Sequence, residues 1–177
     1  ISMSKYEDVH FVDTKQPVWN YSLFSDVAIQ NFQNGTHYSL YELFGNKQVE
    51  VAKTKGTYFS VWAPNATAVF VVGNFNDWNN QAHPLKVRLD HSGIWEGFIP
   101  NVLQGEVYKY HINGFNDVRL DKADPFAHYA ELRPLTASIT WQTAYDWKDA
   151  AWMEKRKVVN QINQPYSVYE VHLASWM

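Results

Sequence analysis

The sequence predicts a mainly β fold, specifically an immunoglobulin-like (early-set) β-sandwich with a short helical lead-in. Between Val49 and Trp141, seven or eight short runs of apolar, β-branched and aromatic residues recur. Gly, Pro, Asn and Asp interrupt these runs at intervals of about ten residues, which is typical of turns between short strands. Many short strands at this spacing indicate two packed antiparallel sheets.

The composition excludes several classes of function. The 177 residues include 46% hydrophobic residues and carry a net charge of −3, whereas a nucleic-acid-binding surface would be basic. No apolar run approaches the roughly 18 residues that span a bilayer, and residues 1–12 do not resemble a signal peptide. With no cysteine there is no disulfide framework. We therefore expect a cytoplasmic protein with neither a nucleic-acid nor a membrane partner.

The first 46 residues predict an arm and two short helices. Residues 1–20 show no clear period and are expected to dock on the rest of the domain. Apolar residues between Ser22 and Gln33 recur at helical spacing, with Ser22 or Ser25 as the N-terminal cap. Asn34 and Gly35 both tolerate the positive φ that closes a helix. A second helical piece is expected over residues 38–44.

The sandwich domain is expected to cover residues 47–145. Its strands are predicted from the alternation of side chains between two faces and from turn-forming residues between the runs. Phe59, Val61 and Ala63 are expected on one face of a strand, and the intervening residues on the other. Residues 113–114, Asn-Gly, are a strong signal for a two-residue hairpin turn. The other expected strands cover residues 68–72, 85–89, 94–99, 105–112, 118–121 and 137–141.

A polar loop with an aromatic residue follows the buried run at residues 68–72. Residues 73–80 read GNFNDWNN, in which Gly, Asn and Asp favour a loop. The Trp78 side chain either folds back to cap the sandwich or presents a flat apolar face beside amide groups. The second arrangement would suit a sugar ring, which has an apolar C–H face and a rim of hydroxyls.

The C-terminal part differs in character from the sandwich. Residues 146–164 are charged and polar and are expected to form a linker or a short helix. Residues 165–177 contain a strong β run, Ser167 to Leu173, that needs a partner strand. We expect it to be the first strand of a larger, truncated domain that continues beyond Met177.

Several motifs in fixed order carry a resemblance to a known family. Residues 56–66 (GTYFSVWAPNA), 72–78 (VGNFNDW), 93–96 (GIWE), 108–110 (YKY) and 122–125 (KADP) resemble the carbohydrate-binding sandwich of glycogen branching enzymes. Residues 35–42 (GTHYSLYE) are similar to the helical lead-in of that family. Residues 169–176 (YEVHLASW) resemble the first strand of its catalytic (β/α)8 barrel, with Ala174 where the family usually has Gly.

The resemblance implies a parent enzyme that cuts an α-1,4-glucan chain and transfers it to a 6-hydroxyl. It would use a carboxylate nucleophile and a carboxylic acid on later barrel strands. Residues 119–121, Arg-Leu-Asp, have the spacing of such a nucleophile motif but are expected at a strand end of the sandwich. No histidine spacing indicates a metal site, and no cofactor is expected. We therefore expect no catalytic residue in this chain, which alone should be inert.

The resemblance also implies a weak α-glucan site. In related sandwiches, such as the β subunit of the AMP-activated kinase, two Trp and a Lys hold glycogen or maltooligosaccharide. Trp78 and Lys109 match one Trp and the Lys, while the position after the hairpin offers Phe115 instead of the second Trp. Asn76 adds an amide in the loop, and His111 shares the strand face of Lys109. The alternative role for the sandwich is to dock on its own catalytic barrel.

Two other readings of the whole chain remain open at this point. One is a fragment of a related debranching or trehalose-releasing enzyme with the same architecture. The other is a glycogen-binding module without catalytic activity. The lead-in helix and the segment at residues 169–176 favour the branching enzyme over both.

Overall fold

A computed structural model describes residues 13–159 and 162–175 of the chain. Residues 1–12, which include most of the expected N-terminal arm, lie outside the described residues. The chain divides into two units, residues 1–143 and residues 144–177. The first unit contains the β-sandwich.

The sandwich consists of nine strands and one α-helix within its described residues. The helix α1 covers Asp26–Gln33. The strands are β1 (Gly45–Val51), β2 (Thr54–Trp62), β3 (Ala66–Gly73), β4 (Lys86–Val87), β5 (Ile94–Pro100), β6 (Val107–Gly114), β7 (Arg119–Lys122), β8 (Tyr129–Ala130) and β9 (Ser138–Ile139).

The strands form two antiparallel sheets, which confirms the predicted mainly β sandwich. Sheet A has the order β1-β2-β5-β4. Sheet B has the order β3-β6-β9-β8, with β7 also pairing with β6. Strand β6 is the centre of sheet B because it pairs with β3 along its length and with β7 and β9 at its two ends.

The core between the sheets is built from alternate residues of each strand. Phe59 and Val61 of β2 contribute to it, as the period-two pattern predicts. Tyr108 and Tyr110 of β6 face them from sheet B and are fully buried. The same alternation places Lys109 and His111 on the opposite, outer face of sheet B.

The other face of sheet A is also buried, because the N-terminal segment covers it. Trp19 pairs with Phe98 of β5 through two backbone hydrogen bonds of 2.7 and 3.0 Å, so the end of the predicted arm does dock on the domain. Phe24 and Ile29 pack with Ile94 in a second apolar cluster. Strands β2 and β5 therefore have buried residues on both faces.

The helical lead-in is shorter than predicted. Helix α1 begins after Ser25, whose Oγ accepts a hydrogen bond from the Ala28 N–H, so Ser25 rather than Ser22 is the N-cap. Gly35 follows the helix with a φ of 70°, as expected for a helix terminus. The predicted second helix at residues 38–44 is wrong: only Leu40–Glu42 forms one 3-10 turn, and β1 begins already at Gly45.

Two hairpin turns lie where the sequence did not place them. Ala52 and Lys53 connect β1 to β2 with φ values of 48° and 63°, although neither residue is a turn former. The predicted turn at residues 113–114 is wrong, because Gly114 is still paired with Ala66 in the sheet. The chain reverses after it, at residues 115–117.

The predicted strand at residues 85–89 divides between the two sheets. The Leu85 N–H donates to the Val69 carbonyl at 2.8 Å, which keeps Leu85 beside β3 in sheet B. Lys86 and Val87 then pair with β5 in sheet A. Leu89 is fully exposed and belongs to no strand.

The second unit contains a helix and no strand in its described residues. Helix α2 covers Ala150–Val159, inside the region expected to be a linker or short helix. The predicted strand at Ser167 to Leu173 is wrong for this structure: these residues are irregular and exposed, and Leu173–Ser175 form a 3-10 turn. A strand needs a partner strand, and the described residues of this unit contain none.

Candidate functional site

The loop after β3 holds Trp78 beside the end of that strand. Asp77 and Trp78 both adopt the left-handed conformation, with φ values of 51° and 56°. The Trp78 N–H donates to the Gly73 carbonyl at 3.0 Å. Gly73 is required there because a Cβ would lie 2.2 Å from the Val107 carbonyl oxygen. The loop therefore folds tightly onto the end of sheet B.

The indole of Trp78 is exposed but fixed in orientation. Its Nε1–H donates to Asn74 Oδ1 at 2.9 Å, and 42% of the residue remains accessible to solvent. Because its donor is occupied, Trp78 can offer a ligand its ring face and not a hydrogen bond. A flat, exposed ring held in this way is suited to stacking against the apolar face of a sugar.

The Asn76 side chain lies inside the loop rather than on its surface. The Gly73 N–H donates to Asn76 Oδ1 at 3.0 Å, and Asn76 Nδ2 donates to the Val71 carbonyl at 3.0 Å. The second hydrogen of Nδ2 points to His83 Nδ1, which is 2.8 Å away. Both ends of the amide are thus occupied, and Asn76 positions the loop.

Lys109 and His111 lie on the outer face of sheet B, as predicted. Lys109 pairs in register with Val72, close to the end of β3 that carries the Trp78 loop. Its Nζ donates to Thr136 Oγ1 at 2.9 Å, which leaves further ammonium hydrogens for a ligand. His111 is only 9% exposed, and its Nδ1 lies 2.6 Å from Asp121 Oδ1.

Phe115 lies at the opposite end of the sheet from Trp78. Gly73 pairs with Tyr108 near one end of β6, and Gly114 pairs with Ala66 at the other. Six residues of extended chain separate these two pairs, a distance of about 20 Å. Phe115 is 69% exposed, but the structure does not bring it together with Trp78 and Lys109.

Phe115 instead lines an open apolar groove at the hairpin end of the sandwich. The groove is bounded by the β2–β3 turn and by the β6–β7 hairpin. Its lining residues are Trp62, Ala63, Pro64, Asn65, Ala66, Ile112, Gly114, Phe115, Val118 and Leu120.

Residues 119–121 lie on β7, as predicted, and the Asp121 carboxylate contacts His111. No cluster of three metal-ligating side chains occurs in the part of the chain that the structure describes. Among the same residues, no helix is long and apolar enough to cross a membrane.

Comparisons with known proteins bear directly on this loop and face. The family model described as carbohydrate-binding module 48 (isoamylase N-terminal domain) matches residues 43–127. Residues 43–127, just under half of the chain, are similar to this family. The match includes the Trp78 loop, Lys109 and Phe115, so all the predicted site residues lie within the module 48 domain.

Curated relatives extend the similarity beyond the module 48 domain. The chain is 46% identical over 156 residues to the 1,4-alpha-glucan branching enzyme GlgB of Aromatoleum aromaticum, covering 88% of this chain and 24% of that protein. For the enzyme of the same name from Aquifex aeolicus, the identity is 43%, again over 88% of this chain, and the coverage of that protein is 25%. The resemblance to branching enzymes is confirmed, and the chain spans about a quarter of the length of these relatives.

A solved structure also shows partial similarity. It is the ligand-free PulA from Klebsiella pneumoniae, with 26% identity and a TM-score of 0.46 over 58% of this chain and 10% of that chain.

Sequence reasoning did not single out His83, Tyr129 or Trp141. His83 holds Asn76, and Tyr129 packs with Trp141 at the other edge of sheet B. A lone histidine before a proline gives no signal in sequence. The aromatic pair was missed because its members are twelve residues apart and meet only when β8 and β9 pair.

Proposed function

We propose that the module 48 domain binds α-glucan and that this chain is the corresponding part of a 1,4-alpha-glucan branching enzyme. The observation that carries the proposal is the exposed ring of Trp78, fixed by Asn74 at the end of sheet B nearest Lys109. An aromatic face beside an ammonium group is suited to a ligand with apolar C–H faces and many hydroxyls.

The names of the curated relatives favour a branching enzyme as the parent protein. Such an enzyme would transfer α-1,4-glucan chains to 6-hydroxyls, with its catalytic carboxylates on barrel strands that follow the segment matched here. The domain would then keep a glucan chain close to that barrel. The open alternatives of a debranching enzyme and of a glycogen-binding module without catalytic activity receive less support from the 43–46% identity to branching enzymes.

The affinity of a single site should be low. One stacked ring and a few hydrogen bonds compete with water, and each hydrogen bond contributes a net of about 1 kcal/mol. Association also costs translational and rotational freedom. We therefore expect a dissociation constant for maltoheptaose on the order of 0.1–1 mM or weaker.

Titration calorimetry with maltoheptaose tests the proposal. Trp78→Ala should abolish binding, and Lys109→Met, which keeps the alkyl chain but removes the donor, should weaken it about threefold or more. Trp147→Ala is the matched control, since it removes an exposed Trp of the second unit, and should bind like the wild type. Unchanged affinity in Trp78→Ala would mean that Trp78 only anchors its loop.

A second candidate role is supported by the apolar groove at the other end of the sandwich. Trp62 and Phe115 are each more than half exposed there, and apolar residues of the β2–β3 turn and the β6–β7 hairpin surround them. Such a patch is typical of a surface that packs against another protein domain. The catalytic barrel of the parent enzyme would be its partner, at the end of the sheet away from Trp78.

A further inference from the structure

Tyr129 and Trp141 form an exposed aromatic pair at the far edge of sheet B. Tyr129 lies on β8, and Trp141 follows β9; their ring centroids are 5.2 Å apart with an interplanar angle of 55°. Tyr129 is 50% exposed and Trp141 is 38% exposed. Neither the Tyr129 hydroxyl nor the Trp141 indole N–H has a hydrogen-bond partner among the residues that the structure describes.

This aromatic pair shares the outer face of sheet B with Lys109. Val107 of β6 pairs with Ile139 of β9, which pairs in turn with Tyr129 of β8. Side chains at paired positions lie on the same face, as do residues two apart along a strand. Lys109 and Trp141 therefore lie on the same face of sheet B as Val107 and Ile139. The residues that alternate with them in the β9 segment are buried.

Hydrogen bonds made by the backbone of Trp141 and of the residue before it fix the position of Trp141. Its N–H donates to Asn46 Oδ1 at 2.9 Å. The preceding residue, Thr140, donates its N–H to the Glu106 carbonyl and accepts from the Gly105 N–H, at 2.9 and 2.8 Å. The ring is therefore attached to an ordered part of the sheet, and a ligand would not have to order this segment on binding.

The pair lies at the same end of sheet B as the Trp78 loop. The Trp78 N–H bonds to Gly73, which pairs with Tyr108 of β6. On the other side of β6, Thr140 bonds to Glu106, two residues away from Tyr108. Because β3 and β9 flank β6, about 10 Å separates the strand ends that precede Trp78 and Trp141, and Tyr129 lies one strand farther away on β8. Lys109 lies on the strand between them.

We propose that Tyr129 and Trp141 form a second aromatic platform for the same α-glucan chain that contacts Trp78. The proposal rests on the glucan-binding function above and adds a preference for longer chains. A glucan that reaches across β6 makes both aromatic contacts, and the second contact is then intramolecular and needs little further loss of freedom. A disaccharide is long enough to use only one platform.

Affinity measurements with maltose and maltoheptaose on the full 177-residue chain test this inference. An aromatic contact of about 0.5–1.5 kcal/mol corresponds to a change in affinity of about two- to tenfold. Trp141→Ala should weaken maltoheptaose binding by that factor and leave maltose binding within about twofold of the wild type. Tyr129→Ala should act in the same direction, and Trp141→Phe should recover part of the loss.

Trp147→Ala is the matched control for the aromatic pair. Trp147 forms a similar exposed pair with Tyr145 in the second unit, with ring centroids 4.7 Å apart. Trp147→Ala should leave the affinity for both maltose and maltoheptaose unchanged. Near-ultraviolet circular dichroism checks that each variant keeps its fold.

Two results would overturn the inference. The first would leave the glucan site at Trp78 intact, and the second would refute that site as well. If Trp78→Ala abolishes maltoheptaose binding but Trp141→Ala and Tyr129→Ala bind it as tightly as the wild type, the second platform is refuted and the glucan site at Trp78 stands. If the wild type binds neither sugar at millimolar concentration, both proposals fail.

Discussion

At the scale of single residues, Asn76 determines the shape of the loop that carries Trp78. Its amide orientation is set because Oδ1 accepts from the Gly73 N–H, so Nδ2 must face His83. His83 Nδ1 therefore acts as an acceptor, and the ring is the neutral Nε2–H tautomer. A proton on His83 Nδ1 would place that N–H donor against the Asn76 Nδ2–H donor.

This contact predicts a pH dependence of stability. Burial lowers the pKa of His83 from its ordinary value of 6.5. The folded state therefore binds this proton less readily than the unfolded state, and stability is lost as the pH falls below about 6.5. His83→Asn offers an acceptor that does not titrate, so its unfolding free energy should fall less than that of the wild type between pH 7 and pH 5.

Urea unfolding of both proteins at the two pH values measures this difference. All other side chains are the same in the two proteins, so the comparison isolates the contribution of residue 83. Parallel pH profiles for the wild type and His83→Asn would contradict the assigned role of His83.

Local sequence chemistry pointed to only one of the proposed site residues. Trp78 stood out because it is an aromatic ring in an Asn-rich loop, whereas Lys109 was chosen because it matches the lysine of related glucan-binding sandwiches. The roles of Asn76 and His111 were not visible, because a neighbour in space, His83 or Asp121, occupies their polar atoms. Whether these two residues contact glucan stays a prediction.

At the scale of elements, a buried polar cluster joins the N-terminal segment to sheet A. Glu96 of β5 accepts hydrogen bonds from Arg88 at 2.6 Å, Ser22 at 2.8 Å and Tyr58 at 2.5 Å. Arg88 also contacts Asp90 through a 2.6 Å ion pair. The cluster lies between the N-terminal segment and β5, so it couples the lead-in to the sandwich.

Removal of Arg88 should be strongly destabilising. Arg88→Ala leaves the buried Glu96 carboxylate without its cation, and breaking a buried ion pair costs about 3–5 kcal/mol. Lys86→Ala, two residues earlier on an exposed strand position, is the matched control and should change stability by about 0.5 kcal/mol or less. Urea denaturation gives both values, and equal stability of the two variants would contradict the role of the cluster.

Strands were predictable where apolar and polar residues alternate strongly. Strands and turns were less predictable where pairing between strands determines their conformation. The strands at residues 58–63 and 94–99 follow from their residue pattern alone. The turn at Ala52 and Lys53 could not be predicted, because the register of β1 on β2 imposes positive φ on residues that rarely adopt it. Strands β8 and β9, each of two residues, are too short to show a period.

At the scale of the whole molecule, residues 165–177 should contribute little to the stability of the sandwich. The three apolar clusters lie within the first unit, and the described residues 162–175 are all exposed. Deleting residues 165–177 should therefore leave the melting temperature of the sandwich nearly unchanged. Truncation after Glu131, which removes β9 from sheet B, is the control and should abolish cooperative unfolding. A large drop in melting temperature for the first deletion would place that segment in the sandwich core.

The most direct test of the glucan site is an NMR titration of the 177-residue chain with maltoheptaose. Assigned ¹H–¹⁵N spectra report on each backbone amide separately, so they distinguish the two ends of sheet B. We expect the largest shifts at residues 73–78 and at Lys109, further shifts at Tyr129 and Trp141, and little change at residues 62–66 and 114–118. Shifts concentrated at the apolar groove around Phe115, or no shifts at millimolar sugar, would contradict a glucan site at Trp78.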